Sequence, residues 1–282
     1  MKTMISAASV AVLLAAAAGT SASAQSADWR SDFSGPYVGV FAGYTDKNDD
    51  SKETLRFDRN LDGNYGDPVT TAAGADAFSP GFCDGAAKGV DAASGCDGDS
   101  SGAQGGIRAG YDAQFGRFVV GVVGDYSAVW QEDSVTGFST TPASYTFTRN
   151  LESLAAARLR AGFVAGPALL YATGGYAYGK VENKFITSNG ANSFTRNEED
   201  DDANGWQAGG GVEYKLAPNL SVTGEYLYTS LEPGDYTVRV GQGTAPATNP
   251  FVLAPNTTGT DIIRSNSKFG LHALNIGMNV RF

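Results

Sequence analysis

The sequence closes with His-Ala-Leu-Asn-Ile-Gly-Met-Asn-Val-Arg-Phe, residues 272 to 282. From Leu274 to Phe282 every second residue is large and apolar, and the residues between them are small or polar. A period of two is typical of a β-strand, because successive side chains of a strand point to opposite faces of its sheet. The pattern therefore predicts a strand with one apolar and one polar face, as expected at a boundary between two solvents.

A signal for export stands at the other end of the sequence. Lys2 precedes a short apolar run over residues 5–18, and Ala22-Ser23-Ala24 has the small residues of a cleavage site. The alternative is a transmembrane helix, but this run is shorter than the roughly 20 apolar residues that such a helix needs. We therefore predict that residues 1–24 are a secretory signal peptide.

The alternating pattern recurs along the rest of the chain. In an exported protein, strands that alternate between apolar and polar side chains predict a barrel in the bacterial outer membrane. Residues 151–160 also favour a helix by intrinsic propensity, and we assign them to a strand because the topology requires one. In this strand Glu152, Arg158 and Arg160 share one parity and are predicted to lie opposite the apolar face. The eight predicted strands cover residues 37–44, 102–115, 118–130, 151–165, 168–185, 205–216, 220–230 and 268–282.

The connections between the predicted strands are of two kinds. Tight turns occur near Gly116, Gly166 and Pro218, whereas the other connections are long. Short turns at one end and long loops at the other are typical of outer-membrane barrels, whose sheets must close because hydrocarbon offers no partner to free backbone groups. The predicted fold is all-β: an eight-stranded antiparallel transmembrane β-barrel over residues 35–282 with long extracellular loops and short periplasmic turns, after a short periplasmic segment over residues 25–34. The predicted loops are residues 45–101, 131–150, 186–204 and 231–267.

Charged residues fall on the polar parity of several predicted strands. An eight-stranded barrel is just wide enough for side chains to fill its lumen, and charges buried there must be paired. We interpret these residues as a network of ion pairs that plugs the lumen; a polar pore that conducts ions is the alternative. The predicted lumen residues are Arg108, Asp112, Asp125, Arg158, Arg160, Glu213 and Glu225.

The chain has two cysteines, Cys83 and Cys96, in a segment rich in Gly and Asp. A disulfide is the usual state of such a pair in an exported protein. It would close a small surface loop and stabilise the fold by about 3 kcal/mol. A metal pair is the weaker alternative, since no histidine or further cysteine lies nearby.

A candidate calcium loop begins at Asp58. Asp58, Asn60 and Asp62 alternate and are followed by Gly63, which matches the start of a calcium-binding loop. The twelfth position is Val69 instead of a bidentate Glu, and Asp67 could partly replace it. The alternative is a series of Asx-turns without a metal, because Asp, Asn and Gly favour turns.

The overall charge limits the classes of molecule that this protein is expected to bind. The formal net charge of −10 argues against nucleic acid as a partner. The acidic run over residues 198–202 predicts either a solvated loop or a cation-mediated contact with lipopolysaccharide. The single histidine, His272, has the parity of the lipid-facing residues, so we predict no catalytic base and no enzyme.

Several stretches resemble the OmpA-like or opacity-type eight-stranded outer-membrane barrels, the porin-family barrels of alphaproteobacterial type. The stretches that carry this resemblance are residues 35–44 (GPYVGVFAGY), 170–179 (LYATGGYAYG), 209–214 (GGGVEY), 225–228 (EYLY) and the final VRF over 280–282.

The resemblance implies location and architecture more than activity. It implies an outer-membrane protein of the cell envelope that contacts lipid and lipopolysaccharide, needs no cofactor, and has Phe282 as the aromatic residue read by the barrel-assembly machinery. It leaves three functions open: a structural, surface-exposed envelope role, a small porin, or a surface adhesin with an unidentified extracellular partner. Apart from the resemblance, the residues themselves offer one candidate ion, which is calcium at the loop that begins at Asp58.

Overall fold

A computed structural model of the protein describes residues 29–48, 52–197 and 202–282. The predicted signal peptide and residues 198–201 of the acidic run lie outside the described residues. No helix in the described part of the chain is long and apolar enough to cross a membrane. The long strands are β1 (Gly35–Lys47), β6 (Gly102–Phe115), β7 (Phe118–Ser139), β8 (Ala143–Ala165), β9 (Ala168–Thr187), β11 (Asp202–Ala217), β12 (Leu220–Pro233) and β15 (Phe269–Arg281). The short elements are β2 (Leu55–Asp58), β3 (Gly81–Asp84), β4 (Ala86–Ala87), β5 (Cys96–Asp97), β10 (Ser193–Arg196), β13 (Val238–Gly241), β14 (Thr260–Arg264) and 3-10 helices at Trp29–Ser31, Ala92–Ser94 and Pro250–Val252.

The eight long strands pair into a closed antiparallel ring. Their order around the ring is β7, β6, β1, β15, β12, β11, β9 and β8, and β8 pairs again with β7. The pairing of β1 with β15, from Tyr37 opposite Arg281 to Lys47 opposite Leu271, joins the first and last strands. We call the end of the barrel that carries the Gly116 and Gly166 turns the lower end. β3 adds to the upper end of β7 as a ninth strand of this sheet. The predicted antiparallel barrel is thus confirmed, and its closure leaves the eight long strands without a free edge in the membrane.

The two ends of the barrel have different connections between strands, with tight turns at one end and long extensions at the other. The turns at Gly116 and Gly166 have φ angles of +64° and +62°, which glycine adopts without strain. At the opposite end the strands run on beyond the membrane: β7, β8 and β9 have 22, 23 and 20 residues, where roughly 9–11 suffice to cross. The loop predicted over residues 131–150 is therefore wrong, because β7 and β8 continue as a paired hairpin as far as Ser139 and Ala143.

The predicted alternation of lipid and lumen faces holds along the last strand. Ile276 is 74% exposed on the outer face, whereas Asn275 and Asn279 point inward and are buried. One predicted phase is wrong: Glu152 does not share the inward parity of Arg158, because a bulge between Leu151 and Ser153 turns it outward.

Above the barrel, the predicted long loops fold into a compact structure that we call the cap, made of residues 52–101, 131–150, 182–197 and 234–267. Its sheet has the order β10, β13, β14 and β2, all antiparallel. Its interior is apolar and rich in aromatic rings, and includes Phe57, Phe78, Tyr145, Phe147, Phe185, Val238, Val240, Phe251 and Ile262.

Candidate functional site

The lower part of the lumen is crossed by a layer of four charged side chains. Arg160 of β8 donates to Asp112 of β6 at 3.0 Å and to Glu213 of β11 at 2.6 Å. Arg281 of β15 pairs with the same two carboxylates at 2.9 and 3.3 Å. β6 and β11 lie opposite each other in the ring, as do β8 and β15. The layer therefore spans the whole width of the lumen.

A second layer lies above it. Arg108 pairs with Glu225 at 2.9 Å, and Arg158 pairs with Asp125 at 2.5 Å. The hydroxyl of Tyr171 donates to Glu225 at 3.2 Å, and Arg158 lies 3.8 Å from the same carboxylate. All seven lumen residues named from the sequence thus lie in these two layers. The sequence places Arg281 on the lumen parity of the terminal strand but does not assign it to the ion-pair network, and it missed Tyr171 altogether.

Aromatic rings fill the space beside the arginines. The guanidinium carbon of Arg160 lies 3.9 Å from the ring centroid of Tyr171, and that of Arg281 lies 4.7 Å from the ring of Tyr37. Arg108 is placed in the same way over Phe41, at 4.7 Å. Cation–π contacts of this kind stabilise a guanidinium that has lost its water. The layers are thus packed as well as paired.

The segment before β1 occupies the lower mouth of the barrel. Phe33 is 0% exposed, and its backbone N–H donates to the side-chain oxygen of Gln114 at 2.8 Å. Its ring packs in an apolar cluster with Val119, Val164 and Leu169. The last residues of the predicted periplasmic segment 25–34 therefore sit inside the barrel end.

A third charged layer, at the upper end of the lumen, is centred on Lys47. Its ammonium lies 2.7 Å from Asp84, 3.0 Å from Asp99 and 3.2 Å from Asp133. These three carboxylates are close enough together to hold a metal ion, but the Lys47 ammonium already lies within ion-pair distance of all three. Burial raises the pKa of Asp99, against the opposing effects of the Ser134 N–H and of Lys47.

The same layer ties the barrel to the cap, because Lys47 belongs to β1 of the barrel whereas its three carboxylate partners belong to the cap. Asp133 of β7 also pairs with Arg149 of β8 at 2.8 Å and with Arg264 of β14 at 2.8 Å. Arg264 in turn holds Glu53 at 2.6 Å, and all four side chains are buried. Sequence reasoning missed this layer because its members are spread over predicted loops that share no period.

The predicted disulfide between Cys83 and Cys96 is confirmed, with the two Cα atoms 6.2 Å apart. Cys83 lies in β3, opposite Thr136 of β7, and Cys96 lies in β5. The bond therefore links the strand that leads to Asp84 with the segment that leads to Asp99, both of which contact Lys47.

The candidate calcium loop is held by its own side chains. The buried carboxylate of Asp58 accepts from the backbone N–H of Asp62 at 3.2 Å and of Gly63 at 2.8 Å. Asp67 accepts from the N–H of Asn60 at 3.1 Å. These contacts are those of a folded turn, which agrees with the Asx-turn alternative. Calcium binding here stays a prediction.

Two residues named from the sequence lie on the outer surface of the barrel. Phe282 is 56% exposed on the lipid-facing side, and its N–H donates to the carbonyl of Pro36 at 3.0 Å. His272 lies beside the hydroxyl of Tyr226 at 2.6 Å and the side-chain oxygen of Asn48 at 2.7 Å. Aromatic side chains near the two edges of the lipid-facing surface, such as Tyr226 and Phe282, are typical of the two membrane interfaces.

A closed barrel with an apolar outer band is the architecture of an outer-membrane protein, and comparison with known families agrees. The family model described as "Outer membrane protein beta-barrel domain" matches residues 10–282. The chain belongs to this family. It is an outer-membrane protein, and barrels of this family contact membrane lipid and lipopolysaccharide.

The chain is also similar to individual known proteins. The chain is 30% identical over 182 residues to the 31 kDa outer-membrane immunogenic proteins of Brucella melitensis and Brucella suis, an alignment that covers 63% of this chain and 65% of each relative. Among solved structures, OprG of Pseudomonas aeruginosa matches with 12% identity and a TM-score of 0.48, over 90% of this chain and 99% of that one. Neisserial surface protein A matches with 12% identity and a TM-score of 0.35, over 88% of this chain and 98% of that one.

Proposed function

We propose that this protein is a non-conducting outer-membrane barrel: ion pairs seal its lumen, and the cap carries its function at the cell surface. The lower layer of the lumen is the observation that carries this proposal. Arg160 and Arg281 project from opposite walls and share Asp112 and Glu213, which also come from opposite walls. An ion that passes must therefore part these pairs, and separating buried opposite charges is costly.

Two further features support a sealed lumen. Phe33 and its apolar neighbours occupy the lower mouth. The Lys47 layer and the cap that it anchors occupy the upper mouth. Three charged layers and two apolar clusters of buried side chains, one around Phe33 and one that includes Leu151 and Leu231, thus fill the barrel, and each would have to move to open a continuous pore.

Planar-bilayer recording of the refolded full chain tests the seal. We expect no reproducible single-channel steps from the wild type. The variant Asp112→Ala/Glu213→Ala should show steps or noise, whereas Lys184→Ala/Glu182→Ala, which removes an exposed pair, should stay silent. Heat-modifiable gel mobility would show that each variant has folded as a barrel. Regular ion-sized steps from the wild type would favour a small porin and overturn the proposal.

The proposed surface role rests on the cap, which places ordered chain beyond the membrane. Loops carried on a rigid scaffold are where binding sites concentrate. Lipopolysaccharide bridged by divalent cations is a candidate neighbour at the base of the cap, where the carboxylate of Asp202 accepts from the hydroxyl of Tyr178.

At the other end of the barrel, the exposed Phe282 fits the proposed role as the residue that the barrel-assembly machinery reads.

A further inference from the structure

The outer tip of the cap contains a cleft of about 210 Å³ at which all four extracellular segments meet. The first segment contributes Phe78, the hairpin of β7 and β8 contributes Tyr145, the connection from β9 to β10 contributes Asn189, and the last segment contributes Asn249 and Phe251. Because these residues are far apart in sequence, the cleft exists only when the cap is folded.

The cleft is uncharged in a strongly acidic protein. None of its lining residues is Asp, Glu, Lys or Arg, although the chain has a net charge of −10. Its polar groups are instead side-chain amides and hydroxyls, which both donate and accept hydrogen bonds. A charged ligand would lose its hydration here without gaining a counter-charge. The lining therefore suits a neutral ligand with many hydroxyl groups.

The amides of the cleft are held in place before any ligand binds. The side-chain N–H of Asn189 donates to the hydroxyl of Tyr145 at 2.9 Å and to Asn192 at 2.9 Å. Asn249 donates to Asn192 at 3.1 Å, and Asn192 donates to the carbonyl of Gly241 at 2.8 Å. A ligand that meets groups already fixed in position does not lose affinity to their ordering.

Aromatic rings beneath the cleft and further hydroxyl-bearing residues complete the lining. Phe78, Tyr145 and Phe251 form a triangle with ring centroids 5.4 to 5.9 Å apart, and they close the floor of the cleft. Thr140 and Thr141, both exposed residues, add hydroxyl groups to the lining. The three rings are buried, so they support the cleft from beneath, and the apolar surface that a ligand can reach comes from Pro142 and Pro250. A sugar ring has apolar C–H groups and polar hydroxyls on one small frame, and the accessible lining offers a complement to both.

We propose that this cleft binds one neutral sugar residue, such as the terminal hexose of an oligosaccharide. Its volume lies below the roughly 300–1,000 Å³ of pockets for drug-sized ligands, which limits the contact to a single ring. The site rests on the proposed surface role of the cap and is independent of whether the lumen conducts. The sugar could belong to another cell or to the polysaccharide of the bacterium itself.

The test uses the full mature chain refolded in a zwitterionic detergent without sugar, because maltoside and glucoside headgroups would compete. Saturation-transfer NMR and calorimetry with glucose, galactose, mannose and N-acetylglucosamine should show saturable binding of at least one of them. N-acetylneuraminic acid, which carries a carboxylate, should not bind. Neutral host-type oligosaccharides and polysaccharide purified from the producing strain then distinguish the two sources.

Two glycine variants locate the site. A Cβ at Gly190 meets open space, so Gly190→Trp should fill the cleft without disturbing the asparagine network. We expect it to weaken sugar binding at least tenfold. Gly66→Trp is the matched control, since Gly66 is equally open but lies away from the cleft, and it should bind like the wild type.

Two results would overturn the sugar site: no saturable binding of any neutral sugar, or binding that Gly190→Trp leaves unchanged. Bilayer recordings on the same preparation keep this outcome separate from the seal. Channel steps with intact sugar binding would overturn only the sealed lumen, whereas silent bilayers without sugar binding would overturn only the sugar site.

Discussion

The lumen of the barrel and the interior of the cap are built in opposite ways. The barrel has an apolar exterior and a lumen of paired charges, such as Arg160 with Glu213. The cap has an apolar interior, centred on rings such as Phe78 and Phe251. In both regions the apolar side chains face away from water. In the membrane they therefore point outward to lipid, and in the cap they point inward to a core.

The largest expected effect comes from breaking the lower lumen layer. Asp112→Asn/Glu213→Gln leaves Arg160 and Arg281 buried without a counter-charge, so the free energy of unfolding should fall by about 5 kcal/mol or more. Denaturant unfolding in lipid vesicles measures it. Glu232→Gln is the control, because the Glu232 and Lys268 pair is more than half exposed and should change stability by less than about 1 kcal/mol. Equal losses in both variants would contradict a role for buried pairing.

Truncating the centre of the cap should give a local effect. Phe78→Ala removes a buried ring that lies 4.5 Å from Phe57 and 5.4 Å from Tyr145, which costs about 3–5 kcal/mol. Limited proteolysis should then cut the cap, while heat-modifiable mobility shows that the barrel survives. Val90→Ala, at an exposed position, should leave the cap resistant. Loss of the barrel in Phe78→Ala would show that the two regions do not fold separately.

A pair of isoleucines compares the two solvents directly. Ile276 is 74% exposed on the lipid-facing band and Ile186 is 67% exposed near the tip of β9, beyond the membrane. Ile276→Arg should reduce the free energy of unfolding by about 2–4 kcal/mol, because the charge enters hydrocarbon. Ile186→Arg should change it by less than about 0.5 kcal/mol, as most surface substitutions do. Similar values for the two would mean that the lipid band has been placed wrongly.

The smallest expected effect concerns the surface turn at Asp58. Calorimetry with calcium separates the two interpretations of this turn: a calcium site gives heat that disappears in Asp58→Ala/Asp62→Ala, whereas a series of Asx-turns gives none. Asp235→Ala removes another acidic side chain outside this turn and should retain the heat. No heat at millimolar calcium would leave the Asx-turn interpretation, in which Asp58 serves only the N–H groups of Asp62 and Gly63.

Local pattern was enough to predict the barrel. The eight long strands, the tight turns at Gly116 and Gly166 and the inward parity of residues such as Arg108 and Glu225 all follow from a period of two and from turn chemistry. The bulge that turns Glu152 outward could not be predicted in this way, because a bulge interrupts the period itself.

The sequence by itself determined where this protein resides and which face of each strand meets lipid, since alternation is a local property of neighbouring residues. Only the tertiary structure decided what the loops form. The Lys47 layer, the apolar interior of the cap and the cleft beside Asn189 join residues from separate segments. Such contacts depend on how strands pair and loops close across the whole chain, and no local period records them.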